Sequence, residues 1–265
     1  MKKVLLLCLP VLLFACSSSR RATSQPQFAD NPVVAHRGAF KKLGLPENSI
    51  ASLRQAIALQ CTGSEFDVRM TADDSLVINH DPAYHSLPIE TTRYDSLLRF
   101  PLSNGEPLPT LRQYLLAGLQ GNKHTRLVCE IKPSPAGKER AAQIAMRVLQ
   151  LVRELKAAPM TVYISFDHHI LTTLLRADPS LNTQYLNGDL PPEQLKADGI
   201  KGADYNFSVF KAHPEWIASA KNMGIVLNAW TVNDAAGMDL LLDNGFQFIT
   251  TNEPELLLEK WKKNR

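Results

Sequence analysis

Residues 33–49, "VVAHRGAFKKLGLPENS", form a short apolar run that ends in a His-Arg-Gly turn and leads into residues able to start a helix. Further short apolar or β-branched runs follow, and the predicted strands cover residues 33–36, 64–70, 126–132, 161–166, 182–186, 203–207, 224–230 and 246–250. The clearest predicted helices cover residues 48–60, 110–120, 136–157, 214–223, 233–243 and 254–263. This alternation predicts a parallel sheet covered by helices, most economically a closed (β/α)8 barrel in a single domain. A doubly wound open sheet is the alternative, and it would place the first and eighth strands at its edges.

Length and charge limit the possible functions. A chain of 265 residues with 45% hydrophobic residues can bury a full core, and its length fits two ordinary domains or one α/β barrel. The formal net charge of +3 falls to +1 if Lys2 and Lys3 are removed with the N-terminal segment. Such a charge, without clustered Lys and Arg, predicts no nucleic-acid partner. No protein partner can be inferred.

The N-terminus has the pattern of a targeting segment. Residues 1–16, "MKKVLLLCLPVLLFAC", combine a charged start with an apolar core of roughly a dozen residues, which is too short to span a bilayer. We interpret residues 1–15 as a signal peptide. The end of this stretch resembles the lipobox of bacterial lipoproteins, in which the cysteine, here Cys16, becomes lipid-modified; an ordinary signal peptide with an incidental cysteine is the alternative.

The organisation that follows from this interpretation is a lipidated tether over residues 16–30 and a barrel over residues 31–265. Residues 17–27 are polar, small and Pro-containing, which is typical of a flexible linker. We therefore expect an exported protein, held to the bacterial cell envelope by a lipid that inserts into the membrane.

Residues 71–108 interrupt the alternation of strands and helices. The segment contains a turn at "TADDS", an extended run "LVINH" and an irregular Pro-containing stretch. Loops of this length are uncommon unless they are functional. We therefore expect an irregular excursion after the second strand.

Two cysteines remain in the predicted barrel, Cys61 and Cys129. An exported compartment would permit a disulfide between them. Two buried free thiols are favoured, because a large core needs no cross-link and Cys is among the most buried residue types.

Some polar residues have structural interpretations. Asn233 and Asn252 are predicted to be helix N-caps. The pair His168-His169 is predicted to start a helix capped by Asp167, because adjacent helical side chains point about 100° apart and cannot chelate one ion.

Polar residues collect at predicted strand ends, which is where barrels of this kind carry their chemistry. The pairs are His36 and Arg37, Glu65 and Asp67, and Glu130 and Lys132, and His80 ends the extended run after the second strand. Strand residues two apart share a face, so each carboxylate pair or carboxylate–ammonium pair points the same way. These side chains can therefore lie close together at one end of the barrel.

The order and spacing of these residues match one family. The segments "AHRG", "PENS", "EFDVRMTADDSLVINHD", "EIK", "WTVN" and "TTNEP" closely resemble the glycerophosphodiester phosphodiesterases, from about residue 33 to the end of the chain. The resemblance implies a TIM barrel, a divalent cation, and hydrolysis of glycerophosphodiesters to glycerol 3-phosphate and an alcohol.

The resemblance also implies roles for individual residues. It makes His36 and His80 the acid/base pair, Glu65, Asp67 and Glu130 the metal ligands, Arg37 and Lys132 the phosphate contacts, and Trp230 a substrate contact. The sequence departs from the family pattern at Asn252, where many relatives have Asp, at Ser49, where Thr is common, and in the segment after His80-Asp81 that shapes the substrate pocket in the family.

The residue chemistry agrees with this assignment. Three carboxylates form a hard oxygen site suited to Mg²⁺ or Ca²⁺ rather than structural zinc. Imidazoles titrate near neutrality, so one can take a proton while the other gives one. Arg37 can bind phosphate through bidentate hydrogen bonds, and Lys132 can either contact phosphate or only neutralise the carboxylates.

Two alternatives to this hydrolase remain open. One is a lysophospholipase D acting on membrane lipids, which would share the catalytic residues and differ in its product. The other is an envelope lipoprotein that binds phosphorylated ligands without turnover; the presence of both His36 and His80 argues against it, because a binder needs no proton-transfer pair.

Overall fold

The computed structural model describes residues 26–264, so the predicted signal peptide, Cys16 and most of the predicted tether lie outside the described residues. The strands are β1 (Val33–Ala35), β2 (Gly63–Met70), β3 (Leu76–Ile78), β4 (Ala83–Tyr84), β5 (Leu87–Pro88), β6 (Arg126–Ile131), β7 (Thr161–Ser165), β8 (Thr183–Tyr185), β9 (Gly202–Asn206), β10 (Val226–Trp230) and β11 (Phe248–Thr251). The α-helices are α1 (Ile50–Ala58), α2 (Tyr94–Leu97), α3 (Leu111–Leu119), α4 (Lys138–Glu154), α5 (His168–Ala177), α6 (Pro192–Ala197), α7 (Phe207–Ala212), α8 (Glu215–Met223), α9 (Ala235–Asp243) and α10 (Pro254–Lys263). Short 3₁₀ helices cover Ile89–Thr91 and Ala158–Met160.

The parallel strands close into a barrel. Their order is β1-β11-β10-β9-β8-β7-β6-β2, and β1 pairs with both β11 and β2. Closure leaves the first and last strands without free edges, which excludes the open-sheet alternative. The predicted single-domain (β/α)8 barrel is therefore confirmed, and each of the predicted strands overlaps one of these eight.

Alternation along the strands divides the core into two parts. One face of the strands points into the barrel, where a cluster of Val, Ile, Leu and Phe side chains fills the lower interior. The other face packs against the helices in two larger clusters. The cavity therefore lies above a solid floor, at the ends where the parallel strands finish. None of the helices in residues 26–264 is long and apolar enough to cross a membrane.

The excursion after β2 has a small core of its own. β3 pairs antiparallel with the end of β2, and β4 and β5 form a short hairpin. Apolar side chains between them are buried together: Val77, Tyr84, Ile89, Leu97 and Leu108. The phenol groups of two tyrosines hydrogen-bond backbone carbonyls within the segment. This packing fixes the position of the residues that follow β3.

Several structural interpretations can be judged from this fold. Cys61 and Cys129 are buried free thiols, as favoured. Asp167 caps α5, and its side chain accepts a hydrogen bond from the His169 backbone N–H. The His168-His169 pair thus starts a helix as predicted, and His168 Nε2 lies 2.9 Å from Asp198 Oδ2.

The N-cap interpretation of Asn233 and Asn252 is wrong. Helix α9 is capped by Asp234, whose side chain accepts from the Gly237 N–H, and α10 starts after Glu253. The Asn233 side chain accepts a hydrogen bond from the backbone N–H of Asn252, and the Asn252 side chain contacts His36 instead of capping α10. Each of the two asparagines lies two positions before the first residue of its helix.

The connection from β1 to α1 is closely packed around Gly38. This residue has φ +82°, and a Cβ atom placed on it would lie 2.6 Å from the backbone carbon of Ser52. The Ala39 N–H donates to the Ser52 carbonyl, which holds the turn against the first turn of α1. Glycine is therefore required both by its backbone conformation and by the close approach.

We expect Gly38→Ala to lower the free energy of unfolding by about 2–4 kcal/mol, because it combines a left-handed backbone penalty with overpacking. Chemical denaturation monitored by circular dichroism measures this change.

The matched control is Gly105→Ala, since Gly105 has φ +84° and, apart from its two chain neighbours, no residue in 26–264 has an atom within 4 Å of the position that a Cβ would take there. It should cost only the backbone penalty, about 1 kcal/mol. Equal losses for the two variants would contradict the close-packing argument.

Candidate active site

The three predicted metal ligands lie together in the barrel. Glu65 and Asp67 project from β2, and Asp67 is directly opposite Glu130 on β6. One oxygen from each carboxylate lies within 4.8 Å of the others, and all three residues are buried. Glu65 Oε1 has no hydrogen-bond partner within residues 26–264. Adjacent strands in matching register thus produce a compact oxygen-rich cluster.

Lys132 enters this cluster just after the end of β6. Its Nζ lies 2.7 Å from Asp67 Oδ1 and 2.6 Å from Glu130 Oε1. Burial acts to lower the pKa of Lys132, but the two carboxylates outweigh it and hold the pKa above its usual value. The ammonium is therefore charged and neutralises part of the acidic cluster, as one of its two predicted roles requires.

The three buried carboxyls differ in pKa because their neighbours differ. Burial and the Asp67 charge raise the pKa of Glu130 to about 7, and burial with both neighbouring carboxylates raises the pKa of Glu65 well above its usual range. For Asp67 burial acts in the same direction, but the Lys132 ammonium and the hydrogen bonds from Lys132 and Asn48 lower its pKa below the usual value. Asp67 is therefore the anchoring anion of the cluster.

Arg37 and the Pro-Glu-Asn segment surround Asp67. Arg37 Nη1 donates to both oxygens of Glu47, at 3.0 and 2.9 Å, and Arg37 Nε lies 3.6 Å from Asp67 Oδ2. Asn48 Nδ2 donates to Asp67 Oδ2 at 2.7 Å, while Asn48 Oδ1 accepts from the Asp67 N–H. The Arg37 backbone N–H donates to Glu65 Oε2 at 2.8 Å. The segment therefore orients one guanidinium and two carboxylates.

His36 lies beside the cluster with a defined tautomer. Its Nδ1 is 2.7 Å from Asn252 Oδ1, so Nδ1–H donates to the amide oxygen and Nε2 keeps its lone pair. That Nε2 lies 4.0 Å from Glu65 Oε2. Burial and the Arg37 charge lower the pKa of His36 to about 4, so the imidazole is neutral at pH 7.

His80 reaches the same cavity from the excursion. Its Nδ1 lies 2.8 Å from Asp81 Oδ1, and its backbone carbonyl accepts two hydrogen bonds from the Arg69 guanidinium. Arg69 extends from β2, so the strand that carries two carboxylates also fixes the second histidine. His80 is more exposed than His36 and lies at the cavity rim.

The cavity has a volume of about 110 Å³ and two unlike sides. His36, Arg37, Glu65, His80, Glu130 and Lys132 line the charged side, and Ile164, Phe166, Leu186, Trp230 and Thr231 line the opposite side with Asp204 and Thr250. A volume below that of a drug-sized pocket suits a compact charged group.

Trp230 is held in place by its neighbours. Its indole N–H donates to the Asp204 carbonyl at 2.9 Å, and its ring meets Phe166 edge-to-face. The predicted substrate contact from Trp230 can therefore use only the apolar ring. Glu47 and Asn252 lie in motifs that the sequence singles out, but the sequence indicated no role for Glu47 and the wrong one for Asn252; Asp204 carried no motif at all.

The comparisons with known proteins agree with this geometry. The glycerophosphoryl diester phosphodiesterase family profile matches residues 36–256, which includes every predicted site residue of the barrel. The chain belongs to this family. The family resemblance and the prediction of a glycerophosphodiester phosphodiesterase enzyme are therefore confirmed.

Relatives align with nearly their full length. A crystal structure of a glycerophosphodiester phosphodiesterase from Parabacteroides distasonis is 39% identical with a TM-score of 0.86, and the alignment covers 90% of this chain and 99% of that one. A glycerophosphodiester phosphodiesterase from Caldanaerobacter subterraneus subsp. tengcongensis is 28% identical over 247 residues, 87% of this chain and 98% of its own. A phosphodiesterase from Oleispira antarctica, solved with the product sn-glycerol-3-phosphate, is 22% identical with a TM-score of 0.74 and shares the fold; that alignment covers 86% of this chain and 95% of that one.

The acidic cluster suits a divalent cation. Three carboxylate oxygens lie within 4.8 Å of one another, and the buried Glu65 Oε1 lacks a protein partner among the described residues. A hard cation such as Mg²⁺ or Ca²⁺ takes oxygen ligands of this kind. The donor set therefore fits the cation that the family resemblance implies.

Cation binding should weaken at low pH. The raised pKa values of Glu65 and Glu130 keep protons on these carboxyls up to about pH 7 for Glu130, and the protons must leave before the oxygens can bind a metal. We expect the apparent Mg²⁺ or Ca²⁺ affinity to fall between about pH 7 and pH 5.5 by about tenfold per pH unit for each proton that the cation displaces. Isothermal titration calorimetry in two buffers of different ionisation enthalpy measures the affinity and the protons released.

The control variant is Asp95→Asn, which removes an exposed carboxylate outside the cavity and should leave the profile unchanged. A constant affinity across this pH range without proton release would contradict the pKa assignment.

Proposed function

We propose that this enzyme hydrolyses glycerophosphodiesters to sn-glycerol 3-phosphate and an alcohol, with one divalent cation, Mg²⁺ or Ca²⁺, bound by Glu65, Asp67 and Glu130. The observation that carries the proposal is the convergence of this carboxylate cluster and two imidazoles on one small cavity. The family membership and the product-bound relative support the same reaction.

The two histidines have partners that suit opposite roles. Asn252 orients His36 with Nε2 available, and burial together with the Arg37 charge lowers the pKa of His36 and keeps the imidazole neutral, which suits a general base. His80 lies at the cavity rim, where the departing alcohol can leave, and the Asp81 carboxylate 2.8 Å from its Nδ1 orients the ring, which suits a general acid. We therefore assign His36 as the base toward the glycerol and His80 as the acid toward the alcohol. An anionic phosphodiester beside His36 would raise its proton affinity as the reaction begins.

The proposed first step uses the neighbouring hydroxyl of the glycerol. His36 Nε2 takes the proton from the 2-hydroxyl, whose oxygen bonds to phosphorus, and the bond from phosphorus to the alcohol oxygen breaks as His80 protonates that oxygen. In the second step His80 takes a proton from water, the water oxygen bonds to phosphorus, and the bond from phosphorus to the 2-oxygen breaks as His36 returns its proton to that oxygen. An intramolecular hydroxyl needs no capture, which favours this route over direct attack by water.

Charge on the phosphate is balanced by fixed cations. A bound divalent cation would act as a Lewis acid toward the phosphoryl oxygens. Lys132 and Arg37 hold the ligand carboxylates in place and extend positive charge into the cavity, where Arg37 can donate to phosphate and Lys132 acts as a point charge. Trp230 contributes an apolar wall.

The test is product formation by the purified full-length protein in mild detergent. A panel of glycerophosphodiesters incubated with Mg²⁺, Ca²⁺ or chelator should release glycerol 3-phosphate only with a cation. His36→Ala and His80→Ala should each lower turnover by about 10²–10⁴ while leaving cation affinity nearly unchanged, the usual scale of a lost general acid or base.

Two results would refute parts of this proposal. Undiminished turnover in chelator would exclude the role of the cation. A substrate analogue without the glycerol 2-hydroxyl should be resistant, and cleavage at the rate of the parent compound would replace the cyclic route with direct attack by water.

We further propose that the enzyme is a lipoprotein of the bacterial cell envelope, on the basis of residues 1–16. Cys16→Ser should release the protein from the membrane fraction or block its processing, because it removes the thiol that would carry the lipid. Fractionation of cells followed by immunoblotting measures this, and hydrolysis in detergent extract should be unchanged. A wild-type protein found entirely in the soluble fraction would contradict lipidation.

A further inference from the structure

Asp204 is a buried acid in the cavity wall that the proposed reaction does not use. It lies on β9, two residues before the strand ends, and its side chain is 1% exposed. Its Oδ1 has no hydrogen-bond partner within residues 26–264, although the residue lines the cavity. The neighbouring Asn228 side chain acts to lower the pKa of Asp204, against the larger effect of burial. A buried carboxyl in the cavity lining therefore has one oxygen without a partner among the described residues.

Such a residue is costly in this position. Interior positions of these barrels usually carry branched apolar side chains, as the layer below does here. An unpaired buried polar atom loses hydration without compensation, and burial together with the Glu130 charge raises the pKa of Asp204 well above its usual range. An apolar residue of similar size would fill the space at lower cost. This points to a ligand group that completes the hydrogen bonding.

The neighbouring strands extend the polar region. Thr250 Oγ1 donates to Asn228 Oδ1 at 3.1 Å, and Asn228 Nδ2 lies 3.4 Å from Gln184 Oε1. These contacts hold the Asn228 amide in place next to Asp204. Polar side chains of the neighbouring strands therefore surround Asp204 on the protein side, while Leu186 and Trp230 provide apolar surface in the cavity.

The cavity geometry indicates which substrate group Asp204 meets. The phosphate belongs on the side of the carboxylate cluster and the histidines, and Asp204 lies on the opposite side. The glycerol 2-hydroxyl is engaged in the proposed cyclic step next to phosphorus. The terminal hydroxyl is the glycerol group furthest from phosphorus, and a hydroxyl can pair with a carboxyl in either protonation state.

We propose that Asp204 binds the free terminal hydroxyl of the glycerol unit and thereby selects deacylated glycerophosphodiesters over lysophospholipids. This inference rests on the proposed function. A lysophospholipid that carries its acyl chain at that position has an ester in place of the hydroxyl; the ester cannot donate a hydrogen bond, and it places a bulky chain next to the buried Asp204 side chain. The buried acid is then a specificity residue rather than part of the proton-transfer pair.

The first test compares substrates on the wild-type enzyme. We expect glycerophosphocholine to be cleaved with a kcat/KM about 10- to 100-fold above that of its analogue lacking the terminal hydroxyl, the scale of one lost hydrogen bond to a buried group. 1-Acyl lysophosphatidylcholine should be a poorer substrate than glycerophosphocholine. Equal kcat/KM values for the three compounds would overturn the inference and leave the proposed function standing, whereas no cleavage of any glycerophosphodiester would refute the function itself.

The second test removes the carboxyl. Asp204→Ala should lose about 10- to 100-fold in kcat/KM on glycerophosphocholine and much less on the analogue lacking the terminal hydroxyl, so that the discrimination disappears. Asp204→Asn keeps shape and hydrogen-bonding capacity and should retain most of the discrimination. Circular dichroism and thermal unfolding establish that each variant is folded.

Gln184→Met is the matched control. Gln184 is buried in the same polar region but does not line the cavity, so its replacement should change stability without changing the ratio of kcat/KM between the two substrates. If Asp204 had only a structural role, its replacement would lower kcat/KM equally for both substrates, as the control does, and that result would overturn the inference. If Asp204→Ala is unstable, the Asp204→Asn variant and the wild-type substrate comparison still test it.

Discussion

The site depends on keeping three carboxylates within 4.8 Å of one another inside a protein. Like charges at this distance repel strongly where water is scarce, so the cluster needs compensation. Part of it comes from the Lys132 ammonium, which contacts two of the acids, and part from protons that Glu65 and Glu130 retain through their raised pKa values. A divalent cation would replace those protons, so the same repulsion that destabilises the cluster gives it affinity for metal.

The surrounding loop is shaped to serve that cluster. Arg37 and Asn48 both have left-handed backbone conformations, with φ of 54° and 58°, which non-glycine residues adopt at a cost. In return the Arg37 N–H points to Glu65 and the Asn48 amide spans both the side chain and the backbone of Asp67. The Asn48 N–H also donates to the Arg37 carbonyl, so the two strained residues support each other. Backbone strain is therefore concentrated where it orients the carboxylates.

Much of the site could be predicted from the alternation of side chains along each strand and from the position of polar residues at strand ends. Alternation with period 2 was sufficient to place Glu65 with Asp67 and Glu130 with Lys132, because strand geometry is local. The prediction for Asn252 is wrong because it rests on a local preference: an asparagine just before a helix often caps it. Only closure of the barrel between β1 and β11 brings Asn252 to His36. The contact is between residues 216 positions apart, which no local pattern encodes.

Asp204 gave an even weaker signal. In "ADYNF" it is one polar residue in a short strand, and whether it faces the barrel interior or the helices depends on the register between β9 and β10. Its unpaired oxygen becomes evident only when the neighbours on β10 and β11 are known. Interior polar residues of a barrel are thus the part of such a site that sequence reasoning reaches last.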